Sequence, residues 1–217
     1  SRIVKVFENY LDDHPGLSRS LLDLLYLSSE FGGVEAVYKA GERSEKLNEE
    51  LMLPKEVWSA LRLVGNQFAE YVFIDEEKQT QFTLEAHVNE KENYIETHGS
   101  DIVAALTAVV THFPELEVHT DRIAINVKNK KANKNYATVQ FLTWLAQTKP
   151  EPMQFYALGD SPTDLEIGHT LFENELTFTF VYVGNEAALA GLQIPFQVTF
   201  TKNKLVEGTL EFVATFD

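Results

Sequence analysis

Ala157-Leu158-Gly159-Asp160-Ser161-Pro162-Thr163-Asp164, directly after the apolar run Met153 to Leu158, is the stretch on which the reading of this chain turns. It predicts a buried strand that stops on a glycine and an acid and passes straight into a helix. Ser161 suits the N-cap, and Pro162 falls at the first helical position, where a missing N–H costs nothing. Asp160 and Asp164 then stand at the carboxyl end of a strand, where open α/β sheets bind ligands. A hard divalent cation such as Mg2+ takes carboxylate oxygens together with substrate phosphate oxygens. By itself the pattern is equally that of an acidic helix start complementing the helix dipole.

Upstream, Val127-Lys128-Asn129-Lys130-Lys131-Ala132-Asn133-Lys134-Asn135 concentrates lysines in a chain of net charge -15. The run Tyr136 to Leu145 has helical spacing (Val139, Leu142, Leu145; Ala137, Phe141, Trp144), with Asn133 as its N-cap. Lys134 therefore sits in a first helical turn, where the dipole disfavours a cation and an anionic partner explains it better. Lys128, Lys130 and Lys131 read as solvated loop lysines.

A lysine opening a helix, an apolar helix, an apolar strand and Gly-Asp-Ser-x-x-Asp together resemble the last two motifs of the haloacid dehalogenase (HAD) superfamily. Within it the chain is similar to the sugar-phosphate phosphatase branch that includes trehalose-6-phosphate and sucrose-6-phosphate phosphatases. The resemblance places the family's motif-three lysine on Lys134 and its motif-four acids on Asp160 and Asp164, with Gly159 and Ser161 between strand and helix. It implies an α/β fold with a HAD-like doubly wound, mostly parallel sheet core and a small α+β cap. It also implies a Mg2+-dependent phosphatase acting on a small sugar phosphate through an aspartyl-phosphate. Lys134 would hold a phosphate oxygen, Asp160 would bind Mg2+, and Asp164 would orient Lys134 or a metal water. Lys134 and Asp164 are thereby the catalytic candidates, Asp160 and Asp164 the metal candidates, and Lys134, Ser161 and His87 the substrate-binding candidates. His87 enters because Thr83-Leu84-Glu85-Ala86-His87 falls where the resembled cap carries a sugar-contacting strand; a hydrogen-bonded sheet histidine is its plainer reading.

The departures are specific. The family's first motif, Asp-x-Asp-Gly-Thr after an apolar strand, supplies the aspartyl nucleophile, and it is absent. Asp12-Asp13-His14-Pro15 ends a helix, and Phe212-Val213-Ala214-Thr215-Phe216-Asp217 reaches an aspartate only at the last residue. The second motif, a Ser or Thr closing a strand, has no convincing match: Ser28 follows the apolar Leu24 to Leu27, yet the continuation Ser29-Glu30-Phe31-Gly32-Gly33-Val34-Glu35 more resembles the segment that follows that motif. The expectation is a nucleophile on an upstream segment of roughly 60 to 90 residues, about two strand-helix units. Asn126 stands near the point where the trehalose-6-phosphate subfamily carries a glutamate. The competing reading is a HAD-like binding or regulatory protein without turnover, and a third is an α/β scaffold with no phosphate chemistry.

Composition agrees with a soluble globular protein: 217 residues at 44% apolar content suffice for a core. No apolar run approaches the ~20 residues of a membrane helix, and no signal-peptide pattern is read at Ser1-Arg2 and after. Without cysteine there is no disulfide, thiol catalysis or Cys-based zinc site. A cytoplasmic location fits, and the negative charge speaks against nucleic acid as partner. The histidines lack zinc spacing, Ser161 lacks a serine-hydrolase context, and the glycines form no P-loop or dinucleotide fingerprint.

Along the chain, helical spacing covers 3–13, with a turn at 18–23, a strand over Leu24 to Ser28 and a hairpin at Val34 to Lys39. The charged stretch Glu42 to Glu50 reads as a surface connection. Lys55 to Ala69 is an amphipathic helix, followed by strands at Tyr71 to Ile74 and Phe82 to Val88. Ser100-Asp101 caps a helix from Ile102 to His112, followed by strands at Leu116 to His119 and Ile123 to Val127. Helix-strand-strand, twice over, predicts two helices on one face of a four-stranded antiparallel sheet, which resembles the family's α/β cap. A strand at Phe178 to Val183, another at Phe196 to Phe200 and a helix at Val206 to Phe212 complete the chain; Glu207-Gly208-Thr209 resembles the family's C-terminal end. The expected division is core at 1–50, cap at 51–127 and core at 128–217.

Overall fold

The structure, a computed structural model, describes residues 2–16, 18–87, 94–121, 123–148 and 154–216. Met153, Val88 and Asp217, each named above at the end of an expected run, lie outside the described residues. The chain divides into two compact units, Ser1–Asn133 and Lys134–Asp217. No helix among the described residues is long and apolar enough to cross a membrane.

The first unit opens with α1 (Arg2–Asp13), a 3-10 turn over Arg19–Leu24, and strands β1 (Tyr26–Ser29), β2 (Val34–Lys39) and β3 (Glu42–Leu47). These strands form an antiparallel sheet in the order β1-β2-β3. β1 begins two residues later than expected, because the 3-10 turn takes in Leu24. The stretch read as a surface connection contains β3. Its side chains are nearly all exposed, so no apolar alternation marks it; the backbone ladder and cross-strand partners of opposite charge, Glu35 with Lys46 and Lys39 with Glu42, hold it instead. Asp23 fixes the turn, accepting from the N–H groups of Ala40 and Gly41 at 2.9 Å each.

The same unit continues with α2 (Lys55–Gln67), β4 (Val72–Ile74), β5 (Phe82–Ala86), α3 (Tyr94–Val110), β6 (Leu116–Thr120) and β7 (Ala124–Asn129). The strands form an antiparallel sheet in the order β4-β5-β7-β6. Val57 and Leu61 of α2 and Ile102 and Leu106 of α3 share one buried cluster with Phe82, Leu84, Ile125 and Val127 of the sheet. This is the double helix-strand-strand module read from the periodicity. α3 starts earlier than expected, with Ser100 and Asp101 inside it, because the buried stripe Ile95, Gly99, Ile102, Leu106 and Val110 is continuous.

Residues 1–50 lie in the same compact unit as 51–133. Glu30 supplies one reason: its carboxylate accepts from the Gln79 N–H at 3.0 Å, the Thr80 N–H at 2.7 Å and the Thr80 hydroxyl at 2.8 Å. Glu30, Phe31 and Gly32 all have positive φ (54°, 55° and 95°), a tight reversal that aims the carboxylate at that loop. Asn129 Nδ2 donates to the Glu50 carbonyl at 3.2 Å. Lys128 is not a solvated loop lysine: it is buried on β7, pairs with Glu117 at 2.7 Å and lies 4.9 Å from the Phe31 ring centroid.

The second unit comprises α4 (Lys134–Thr148), β8 (Phe155–Gly159), α5 (Leu165–Glu173), β9 (Phe178–Tyr182), β10 (Val198–Phe200) and α6 (Leu205–Val213). Its sheet is parallel, in the order β10-β9-β8. Ala157, Phe180 and Tyr182 pack with Leu142 of α4 and Leu165 and Leu171 of α5. On the opposite face Tyr156 meets Phe212 of α6 at 5.5 Å, so both faces carry helices, as strand-helix alternation predicts.

Truncating Leu106, fully buried between helix and sheet, should lower unfolding free energy by about 2–5 kcal/mol. Urea denaturation of Leu106→Ala checks this; a loss under 1 kcal/mol would mean the helix does not seal this core.

Candidate active site

β8 ends on Gly159, and the chain turns through Asp160 and Ser161 into a 3-10 turn at Pro162–Asp164 and then α5. This is the strand-acid-helix sequence expected of the motif, with Pro162 at the first helical position. Asp164 folds back over the strand end. Its Oδ2 accepts from the Asp160 N–H at 3.1 Å, the Ser161 N–H at 3.1 Å and the Ser161 hydroxyl at 2.8 Å. Its Oδ1 lies 3.0 Å from Lys134 Nζ. Gly159 makes the turn possible: a Cβ there would sit 2.3 Å from the Asp164 Cβ.

Lys134 occupies the first turn of α4, and the anion it meets is Asp164. A second acid compensates the helix start. Glu166 Oε2 accepts the Lys134 N–H at 3.1 Å, which satisfies a helix N-terminal donor and places negative charge at the positive end of the dipole. Sequence reasoning did not single out Glu166; its position in the first turn of α5, two residues after Asp164, is the signal that could have found it. Burial pushes the Asp164 carboxyl up, but the hydrogen bond and charge of Lys134, with the Ser161 donors, outweigh it and hold the carboxyl below its usual range.

The two acids are thus in different situations. Asp164 is buried with both oxygens engaged, whereas Asp160 is exposed and its carboxylate has no hydrogen-bond or ion-pair partner among the described residues. Asp160 and Asp164 border a cavity of about 430 Å³ whose apolar wall includes Leu158, Leu205, Val206 and Leu210. Among the described residues no group of three or more His, Cys, Asp or Glu side chains gathers to hold a metal. What the turn offers a cation is one free carboxylate. That fits Mg2+, which is held by one or two carboxylates with waters and substrate phosphates, and does not fit a self-contained cage. Because both Asp164 oxygens are committed, the geometry favours Asp164 as the orienter of Lys134 over Asp164 as a metal ligand.

The structure brings Lys134, Asp160, Ser161 and Asp164 to one end of one sheet. It gives His87 different company. The His87 ring nitrogen Nε2 bonds to the Ala69 carbonyl at 3.1 Å, and the ring lies 5.5 Å from Phe73. Asn126, on β7, is buried in a side-chain network, accepting from Thr83 at 2.8 Å and Gln81 at 3.3 Å and donating to Asp121 at 3.1 Å.

No known family model matches the chain, and no curated protein matches it. Solved structures do. The C-terminal domain of the C. albicans trehalose-6-phosphate phosphatase superposes with a TM-score of 0.58 at 14% identity, covering 83% of this chain and 68% of that one. The Aspergillus fumigatus trehalose-6-phosphate phosphatase, crystal form 3, gives 0.49 at 19% identity, covering 96% of this chain and 75% of that one. The Plasmodium falciparum IMP-nucleotidase gives 0.46 at 12% identity, covering 82% and 45% respectively. The first of these carries the comparison. The fold is α/β and HAD-like, with a cap.

The Asp164 carboxyl, held low when folded, contributes stability that is present above its unfolded pKa of about 3.9 and is lost as pH falls through the lower folded value. Lys134→Met removes the main opposition to burial, so the ionised Asp164 no longer contributes that stability. Urea unfolding at neutral pH should show a lower free energy, and the further loss on acidification through the carboxylate range should shrink; unchanged stability at neutral pH would mean the pair does not hold the turn.

Proposed function

We propose that this chain carries the phosphoryl-handling site of a Mg2+-dependent phosphomonoesterase that acts on a small sugar phosphate. The observation that carries the reading is the Lys134 amine held 3.0 Å from Asp164 at the carboxyl end of a parallel sheet, beside the free carboxylate of Asp160. Lys134 is placed to hold a non-bridging phosphate oxygen, and Asp164 to keep the amine aimed. Asp160, with waters and phosphate oxygens, would hold Mg2+, which when bound neutralises charge developing on the phosphoryl group. Ser161 donates both its N–H and its hydroxyl to Asp164, so its donors are spent on shaping the turn. Positioning and charge neutralisation carry most of phosphoryl-transfer catalysis.

In this reading a carboxylate oxygen of an aspartate outside residues 1–217 attacks phosphorus in line as the ester P–O bond breaks. The leaving oxygen takes a proton, and water then hydrolyses the aspartyl-phosphate. β8 lies at the edge of its sheet, with β9 as its one partner among the described residues, and Leu205, Val206 and Leu210 beside it are more than half exposed. An edge strand offers unpaired N–H and C=O groups to a further strand, so this edge is where a further parallel strand would bring the nucleophile. The sugar class rests on the sequence resemblance and on a fold shared with a trehalose-6-phosphate phosphatase. Trehalose-6-phosphate itself is not favoured, because Asn126, near the subfamily's glutamate position, is consumed within its own sheet. His87 stays outside the proposed site for the same kind of reason. The lack of an aspartyl nucleophile within this site also favours a second reading, a sugar-phosphate binding or regulatory protein that never turns its ligand over.

In the intact protein, hydrolysis of p-nitrophenyl phosphate should require Mg2+ and stop with EDTA. Asp160→Ala should abolish the metal-dependent rate, and Lys134→Ala should lower kcat by about 100-fold or more. Turnover indifferent to chelation and to Lys134→Ala would refute the phosphatase reading; sugar-phosphate binding without turnover would establish the second.

A further inference from the structure

One buried side chain beside the site has no part in the chemistry above. Tyr182 ends β9 directly opposite Gly159 in the parallel register. It is fully buried, and its hydroxyl has no hydrogen-bond partner among the described residues. Buried phenols ordinarily find a partner, and a phenylalanine would fill an apolar slot without the unsatisfied oxygen.

The far end of the ring is located by Gly184. A Cβ built there would lie 2.8 Å from Tyr182 Cζ and 2.0 Å from the Asp160 carbonyl oxygen. Both atoms therefore crowd the same bare Cα, and the phenol tip reaches the level of the Asp160 backbone at the carboxyl end of the sheet. Burial pushes the Tyr182 phenol up, and the negative charges of Asp160 and then Asp164 push it the same way, so at neutral pH the group is an O–H donor. Asp164 already has both oxygens engaged. The Asp160 carboxylate has none of its acceptors taken by the described residues and, being exposed, is free to change rotamer.

We infer that Tyr182 is a positioning residue for Asp160: its hydroxyl donates to one carboxylate oxygen, directly or through one water, and leaves the other facing the cavity. A buried donor without an acceptor and a neighbouring acceptor without a donor complete each other. The bond would turn the single free carboxylate of the site from a mobile surface group into an oriented ligand. The inference rests on the proposed phosphoryl site, but it names a residue that reading does not require.

Three measurements on the intact protein test it. In proton NMR the Tyr182 hydroxyl should give a resonance protected from exchange, absent in Tyr182→Phe and displaced in Asp160→Asn. Calorimetric titration with Mg2+ alone should show affinity reduced about tenfold in Tyr182→Phe, as when a group that orients a metal ligand is removed. With p-nitrophenyl phosphate, kcat should fall about tenfold at unchanged KM, while the melting temperature does not fall. A hydroxyl resonance unmoved by Asp160→Asn, or Tyr182→Phe with wild-type Mg2+ affinity, would overturn the inference. Coupled NMR and Mg2+ effects in a protein with no turnover would leave it standing and refute the phosphatase reading instead. Should Tyr182→Phe fold poorly, the response of the wild-type hydroxyl to Asp160→Asn still decides.

Discussion

The ion pair between Lys134 and Asp164 is the constraint around which the second unit is organised. One carboxylate accepts two backbone N–H groups and a hydroxyl on one oxygen and faces an amine on the other. Through it the end of β8, the turn into α5 and the start of α4 are joined at a single group. Glu166, two residues on, repeats the link by accepting the Lys134 N–H. The arrangement is demanding, because a buried carboxylate is tolerated only when its charge is paired and its lone pairs are filled. That requirement explains two glycines: Gly159 leaves room for the Asp164 side chain, and Gly184 leaves room for the Asp160 carbonyl.

From that saturation follows a division of labour between two acids that look alike in sequence. Asp164 has both oxygens engaged and acts on the lysine; Asp160 borders the cavity with its carboxylate uncommitted among the described residues. A site built this way provides one cation, one anion free to coordinate, and apolar walls. In a chain of net charge -15 the surface as a whole repels phosphate, so recognition of a phosphoryl group has to come from such a local arrangement.

Much of this was legible in the sequence, because periodicity and turn chemistry acted together. The double helix-strand-strand module came from apolar spacing, and the β8–α5 turn came from Gly159, Ser161 and Pro162. β3 was hidden because charged residues on an exposed strand imitate a connection. Lys128 looked solvated because sequence shows no sign of Glu117 and Phe31 arriving from elsewhere in the fold. The grouping of residues 1–50 with the four-stranded sheet depends on Glu30 reaching Thr80, a contact no local pattern encodes. Tyr182 read as one more apolar strand residue, since its unsatisfied hydroxyl is a property of the packing alone.

The most direct measurement is amide chemical-shift mapping of the full chain titrated with inorganic phosphate in the presence of Mg2+. A phosphoryl site at the end of β8 predicts saturable shifts concentrated at Lys134, Asp160, Ser161 and Asp164. Saturable shifts that leave these four residues unmoved, or none at all, would contradict the account.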